Sequence, residues 1–73
     1  MNLNPVKYND VISQFPLRHY EPVWLKNYEV LVKVESDYYI VIGNYFDGHF
    51  AIKEFRKYEL IAWREVGIKI ANI

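Results

Sequence analysis

A chain of 73 residues can hold one domain, and it lies near the lower limit of length at which a single hydrophobic core supports a fold. Its residues are 52% hydrophobic and 18% aromatic, which excludes a disordered chain, and its nine basic and nine acidic residues disfavour both a strongly basic nucleic-acid binder and an acidic DNA mimic. Cysteine is absent, which excludes disulfides and thiolate metal sites.

The first predicted element is a helix over residues 4–15. Asn4 can cap it, Pro5 suits its first position, and Pro16 ends it. Four apolar residues recur at the spacing of one helical face: Tyr8, Val11, Ile12 and Phe15. Residues 17–27 show no clean periodicity and predict a connecting segment. We expect three apolar residues of that segment to anchor onto the core: Val23, Trp24 and Leu25.

From Tyr28 the periodicity changes to two, which predicts antiparallel strands as far as residue 72. The first strand, 28–35, alternates valines with mostly charged residues, which is typical of a half-buried strand whose charged outer face protects a sheet edge. Ser36 and Asp37 then suit a turn into a second strand at about 38–46. Gly43, in the middle of that strand, predicts a bulge or a bend.

Asp47-Gly48 is a strong hairpin signal, because a two-residue type I′ turn needs positive φ at both central residues. A third strand is predicted at about 49–55, and a fourth within 59–66. Gly67 separates the fourth strand from residues 68–73, "IKIANI", which predict a short fifth strand on an edge.

This order of elements predicts an α+β fold that is mainly antiparallel β, with one domain over residues 1–73. The helix is followed by a four- to five-stranded meander or a small SH3-like barrel. The longest apolar run, "YYIVIG", is far too short to cross a bilayer, and no signal-peptide pattern is visible, so we expect a cytoplasmic protein.

The second strand is apolar on both faces. Tyr39, Val41 and Tyr45 point one way, and the opposite face carries Tyr38, Ile40, Ile42 and Phe46. In one interpretation this is a central strand that is covered on both sides. In the other, part of its tyrosine-rich face stays exposed and forms a homodimer seam or a partner site, since tyrosine gives a large contact area with little rotamer entropy to lose.

Residues for catalysis are scarce. Threonine and cysteine are absent, and the chain has only two serines and two histidines: Ser13, Ser36, His19 and His49. A nucleophile with an adjacent base therefore has almost no candidates, and the three glycines match no phosphate-binding spacing. We expect neither an enzyme nor a bound metal or cofactor.

One segment supports a nucleic-acid alternative. Residues 53–58, "KEFRKY", interleave three cations with two aromatic rings, as single-stranded nucleic-acid binders do. The residues of this alternative site are Lys53, Phe55, Arg56, Lys57 and Tyr58. In the competing interpretation, the segment is a solvated turn whose rings cover the core.

Residues 28–66 contain an E-V-L-V strand at 29–32, a hairpin with Gly43, Tyr45, Asp47-Gly48 and Phe50, and a closing strand with Trp63. This pattern resembles a family of short phage and prophage proteins of unknown function, in which the closing strand ends in W-M-P-L-P. The resemblance implies a phage or prophage origin. Small phage proteins without a catalytic set commonly act by occupying the surface of a host protein.

We therefore expect a non-enzymatic protein-binding module that acts by stoichiometric contact with a host protein, as a modulator or inhibitor of a host enzyme or defence system. Aromatic and arginine anchors dominate interface energies, which selects four expected contact residues: Tyr39, Tyr45, His49 and Arg64. The short chain and the two-faced strand also favour a homodimer.

Overall fold

The computed structural model describes residues 3–15 and 21–66. Its elements are a short helix α1 (Tyr8–Val11), a 3-10 turn (Ile12–Gln14), and the strands β1 (Asn27–Val34), β2 (Asp37–Phe46), β3 (His49–Ile52) and β4 (Glu59–Glu65). Neighbouring strands are antiparallel, and their order in the sheet is β3-β2-β1-β4. The predicted mainly antiparallel fold with one short helix is confirmed. The predicted fifth strand over 68–73 lies outside the described residues.

The four described strands form an open sheet and not a closed barrel, with β1 and β2 inside and β3 and β4 as the outer strands. The prediction that the charged face of β1 protects an edge is wrong, because β1 pairs with both β2 and β4. Leu31, on that face of β1, is fully buried. The third strand also ends at Ile52, three residues before its predicted end.

The helix begins four residues later than predicted. Val6 forms an isolated bridge with Tyr38, and its backbone N–H donates to the Tyr38 carbonyl at 2.8 Å. Since Val6 is held by the edge of β2, the residue that precedes the helix is Lys7, whose backbone is extended and whose side chain makes no capping hydrogen bond, and the predicted cap by Asn4 is wrong. Phe15 ends the 3-10 turn in an extended conformation, as expected for a residue before proline, and is buried.

The two hairpin turns of the sheet differ from one another. Asp47 and Gly48 have φ of 56° and 84°, which confirms the predicted turn with two residues at positive φ. The other turn is displaced by one residue from its prediction. Val34 pairs with Asp37, so the turn residues are Glu35 and Ser36, and Glu35 has a φ of 57°.

Gly43 forms no bulge in β2, so that prediction is wrong. Its pairing with Tyr28 on one side and Ile52 on the other continues the register of both ladders. The register shift of the sheet lies between β1 and β4, at Leu31 and Val32. The reason for the glycine is packing, because a Cβ at position 43 would lie 3.0 Å from Val30 Cγ2 and from Phe50 Cβ.

Most of the core lies on one face of the sheet, which we call the core face, while the buried Leu31 lies on the opposite face. The buried members of the core face are Tyr28, Val30, Val32, Val41 and Phe50. Half-buried side chains pack around them, including Tyr39, Tyr45, Phe55, Tyr58 and Trp63. The Tyr28 ring makes edge contacts with the Phe50 and Trp63 rings, at centroid distances of 5.8 and 5.1 Å. The tyrosine-rich face of β2 is therefore the core face, and the exposed side of that strand is the opposite one.

Candidate protein-binding surface

The turn from Val23 to Lys26 is attached to the sheet by its backbone. The Lys26 N–H donates to the Val23 carbonyl at 3.2 Å, and the Leu25 N–H donates to the Tyr45 carbonyl at 2.6 Å. The phenol oxygen of the buried Tyr28 accepts a third hydrogen bond, from the Val23 N–H, at 2.7 Å. These bonds fix the turn beside the end of β2.

The side chains of this turn point into solvent, so the prediction that they anchor onto the core is wrong. Val23 and Trp24 are each 58% exposed, and Leu25 is 68% exposed. The turn is attached by backbone hydrogen bonds, one of them to the phenol of Tyr28, which extends out of the core. Its own side chains therefore do not need to be buried to hold it in place.

Trp24 continues an exposed apolar surface of β2. Its ring lies 5.4 Å from the ring of Phe46, and Phe46 and Ile42 are each 47% exposed. Alternation along β2 places Ile42 and Phe46 on the side opposite the core face. We call these three side chains, together with Val23 and Leu25, the exposed neighbours of Trp24 in the turn, the apolar face.

The charges beside the apolar face are paired within the chain. Glu29, opposite Ile42 on β1, accepts a hydrogen bond from Arg64 Nε at 2.6 Å. The same side of β2 also presents Ile40 and Asn44, and the Asn44 amide donates to Asn27 Oδ1 at 2.9 Å. Lys26, at the end of the turn, is neutralised by Glu65, with 3.2 Å between Nζ and Oε1. An apolar centre with a neutral polar rim is the usual anatomy of a protein-binding surface.

Leu25 adopts a conformation that is unusual for its side chain. Its φ is 66°, in the left-handed region that branched and bulky residues rarely occupy. Its N–H bond to Tyr45 holds the backbone there, while its own side chain is mostly exposed. Strained residues of this kind concentrate at functional sites, where the surrounding structure fixes a surface in one shape.

The four contact residues expected from the sequence are not brought together. Tyr39 and Tyr45 lie on the core face, where their rings pack 4.9 Å from Phe55 and 5.1 Å from Phe50. His49 is exposed beside the β2–β3 turn, with Nδ1 3.3 Å from the Asp47 carbonyl oxygen.

Arg64 is engaged within the chain. Its Nε donates to Glu29 Oε1 at 2.6 Å, and its guanidinium lies 4.5 Å above the centre of the buried Phe15 ring. A terminal nitrogen also approaches the backbone and side-chain oxygens of Gln14, at 3.4 and 3.2 Å. Arg64 therefore attaches the 3-10 turn to the sheet.

The segment 53–58 presents its cations and its rings in different directions. Lys53, Arg56 and Lys57 are exposed. Phe55 packs against Tyr39, and the Tyr58 hydroxyl donates to the Phe50 carbonyl at 2.5 Å, where desolvation by burial raises the pKa of the phenol. Both rings contact the core, as in the solvated-turn interpretation, so neither is free to stack on a base.

Sequence reasoning identified part of the apolar face. The two-residue period placed Ile42 and Phe46 on one side of the second strand, but no periodicity linked Trp24 to them. Within residues 3–15 and 21–66, no three side chains of histidine, aspartate or glutamate gather as a metal site would require, and no helix there has the length and apolar character to cross a membrane.

No family model, curated protein sequence or solved structure matches the chain significantly. The resemblance of residues 28–66 to phage and prophage proteins stays a prediction.

Proposed function

We propose that this protein is a non-enzymatic binding module that acts by stoichiometric contact with a protein partner. The observation that carries the proposal is the apolar face, in which Trp24 and Phe46 are paired and about half exposed beside the half-exposed Ile42. Exposed apolar surfaces that are rimmed by polar groups mark interaction sites in soluble proteins.

The composition and rigidity of the apolar face suit high affinity. Tryptophan and other large side chains in desolvated pockets carry most of the binding energy of protein interfaces. The backbone of the turn that carries Trp24 is held by hydrogen bonds to Tyr28 and Tyr45, so little backbone entropy remains to be lost when a partner binds. Burial of these side chains by a partner is therefore favourable without a rearrangement of the sheet.

The proposed partner is a host protein, and the proposed setting is the bacterial cytoplasm with a phage or prophage as the source of the chain. The resemblance of residues 28–66 supports this setting, and the scarcity of nucleophile and base side chains supports a module without catalysis. In this role the protein modulates or inhibits a host enzyme or defence system by covering part of its surface.

The test is capture from a bacterial lysate with three tagged proteins: the wild type, Phe46→Ser and Leu60→Ser. Leu60 is the matched control, because it is 46% exposed like Phe46 but lies on β4, opposite Val32 of the core face. We expect the wild type and the control to retain one protein in stoichiometric amount after nuclease treatment, and Phe46→Ser to lose it. Circular dichroism checks that all three are folded.

Two results would contradict the proposal. Equal capture by all three proteins would mean that the apolar face is not the contact surface. Recovery of nucleic acid alone, lost with nuclease, would favour the cations of segment 53–58.

A further inference from the structure

We propose that the apolar face is also the interface of a homodimer, so that self-association and partner binding compete for one surface. The inference rests on the proposed function for its choice of surface. It goes further by naming a second copy of this chain as the occupant of the face when no partner is bound.

The charge pattern of the face suits contact with its own copy. In a two-fold symmetric interface, residues near the axis meet their own copies, so a charged residue there would face a like charge. On the side of β2 opposite the core face lie Ile40, Ile42, Asn44 and Phe46, and none of these is charged. The neighbouring Glu29, which is paired with Ile42, is bound by Arg64 at 2.6 Å. The whole chain has a net charge of zero, so no long-range repulsion separates two copies.

The exposed area is of the size that a dimer of modest affinity needs. Full burial of a large aromatic side chain removes roughly 150–250 Å² from solvent, so the half-exposed Trp24 and Phe46, together with the smaller and 47–68% exposed Val23, Leu25 and Ile42, offer roughly 500 Å² of apolar surface per chain. A standard interface buries roughly 800 Å² per partner, including its polar rim. The apolar face therefore supplies most of one side of an interface, and the amides of Asn27 and Asn44 extend it.

The position of the helix leaves this part of the sheet open to a second sheet. The 3-10 turn is held over Glu29 and Arg64, and Tyr8 of α1 packs 5.3 Å from the ring of Tyr38. The Tyr8 contact lies at the start of β2. Glu29 is paired with Ile42, so the Arg64 contact lies beside Ile42, which still remains 47% exposed, and Phe46 lies beyond both contacts at the other end of the strand. Two such uncovered sheet faces can pack against each other as the layers of a β-sandwich do.

The test is sedimentation equilibrium of the purified protein from low micromolar to several hundred micromolar concentration. We expect the wild type to shift from its chain mass of 8.8 kDa to twice that mass as the concentration rises. The inference places Ile42 near the two-fold axis, so Ile42→Glu and Ile42→Lys, each alone, are expected to stay monomeric, because each brings like charges against one another. An equimolar mixture of the two is expected to recover the doubled mass, since opposite charges then meet.

Leu60→Glu is the matched control, which introduces the same charge at a residue of similar exposure outside the face, and it should dimerise as the wild type does. A wild type that stays monomeric at every concentration would overturn the inference, and so would Ile42 variants that dimerise alone or fail to recover when mixed. The experiment contains no other protein. Suppose that the wild type stays monomeric in sedimentation but that Phe46→Ser still loses the protein captured from the lysate. The homodimer would then be ruled out, and the proposed function would remain supported.

Discussion

At the scale of single residues, the packing of the core face depends on one position without a side chain. Gly43 sits opposite Tyr28 in the sheet, between Val30 on β1 and Phe50 and Ile52 on β3. The sequence identified this glycine as special but assigned it to a bulge or a bend, because a lone glycine in a strand pattern marks either such an irregularity or a close approach of neighbouring atoms. Only the atoms that surround Gly43 in the folded sheet show which of these roles it has.

We predict that Gly43→Ala destabilises the protein by about 1–3 kcal/mol, the usual cost of adding a methyl group to a packed core. The new Cβ would lie 3.0 Å from two neighbouring carbons, one of them the Cβ of Phe50, which cannot move without its strand. Urea denaturation measures the change. An unchanged midpoint would mean that the core around Tyr28 is loosely packed.

A second residue, Tyr58, links stability to pH. Burial raises the pKa of its phenol above the ordinary value of 10.0, so the folded chain holds this proton more tightly than the unfolded chain does. The contribution of Tyr58 to stability is therefore constant below pH 10 and is lost as the pH rises through the folded pKa.

We predict that Tyr58→Phe lowers stability at neutral pH by about 0.5–1.5 kcal/mol, through loss of the hydrogen bond to the Phe50 carbonyl. Above pH 10 the difference in unfolding free energy between the two proteins should shrink, because only the wild type has this phenol and is destabilised when the pH favours its ionisation. Thermal unfolding at a series of pH values measures the difference, and a difference that is constant across pH 10 would contradict this account of Tyr58.

At the scale of elements, the strands follow the sequence pattern closely and the ends of elements do not. The two-residue period gave β1, β2 and β4, and Asp47-Gly48 gave the hairpin between β2 and β3. The start of the helix was not predictable from Asn4 and Pro5, because Val6 pairs with Tyr38, more than thirty positions away in the chain. Similarly, the turn at Glu35-Ser36 is set by the register of Val34 with Asp37, a tertiary feature that residue preferences do not encode.

The β1–β2 turn gives a prediction with an internal control. Glu35 has a φ of 57°, which costs a residue with a side chain about 1–2 kcal/mol relative to glycine. We therefore expect Glu35→Gly to raise the free energy of unfolding by roughly 1 kcal/mol, after allowing for the greater flexibility of glycine in the unfolded chain.

Ser36→Gly is the control, because Ser36 is not among the residues at positive φ and gains nothing from the substitution. Chemical denaturation of both variants compares them. If Ser36→Gly stabilised the protein as much as Glu35→Gly, backbone strain at Glu35 would not be the cause.

At the scale of the whole molecule, a small sheet has its core on one face and a helix that covers only part of the other. The uncovered part is the apolar face. Sequence reasoning predicted a binding module and a two-faced second strand, but it placed the contacts on the tyrosine-rich side. Tyrosine composition alone does not tell which side is buried. The tyrosine-rich side is buried because the rings of Tyr28, Phe50 and Trp63 pack together on it.

The most direct test of this account is site-specific photo-crosslinking in living bacteria, with a benzophenone-bearing phenylalanine analogue at position 46 and, in a separate protein, at position 60. The two positions are almost equally exposed, so unspecific crosslinking affects them alike. We predict discrete adducts from position 46, either with a second copy at twice the chain mass or with one host protein, and none from position 60. Adducts from position 60 with none from position 46 would contradict the claim that the apolar face is the binding surface.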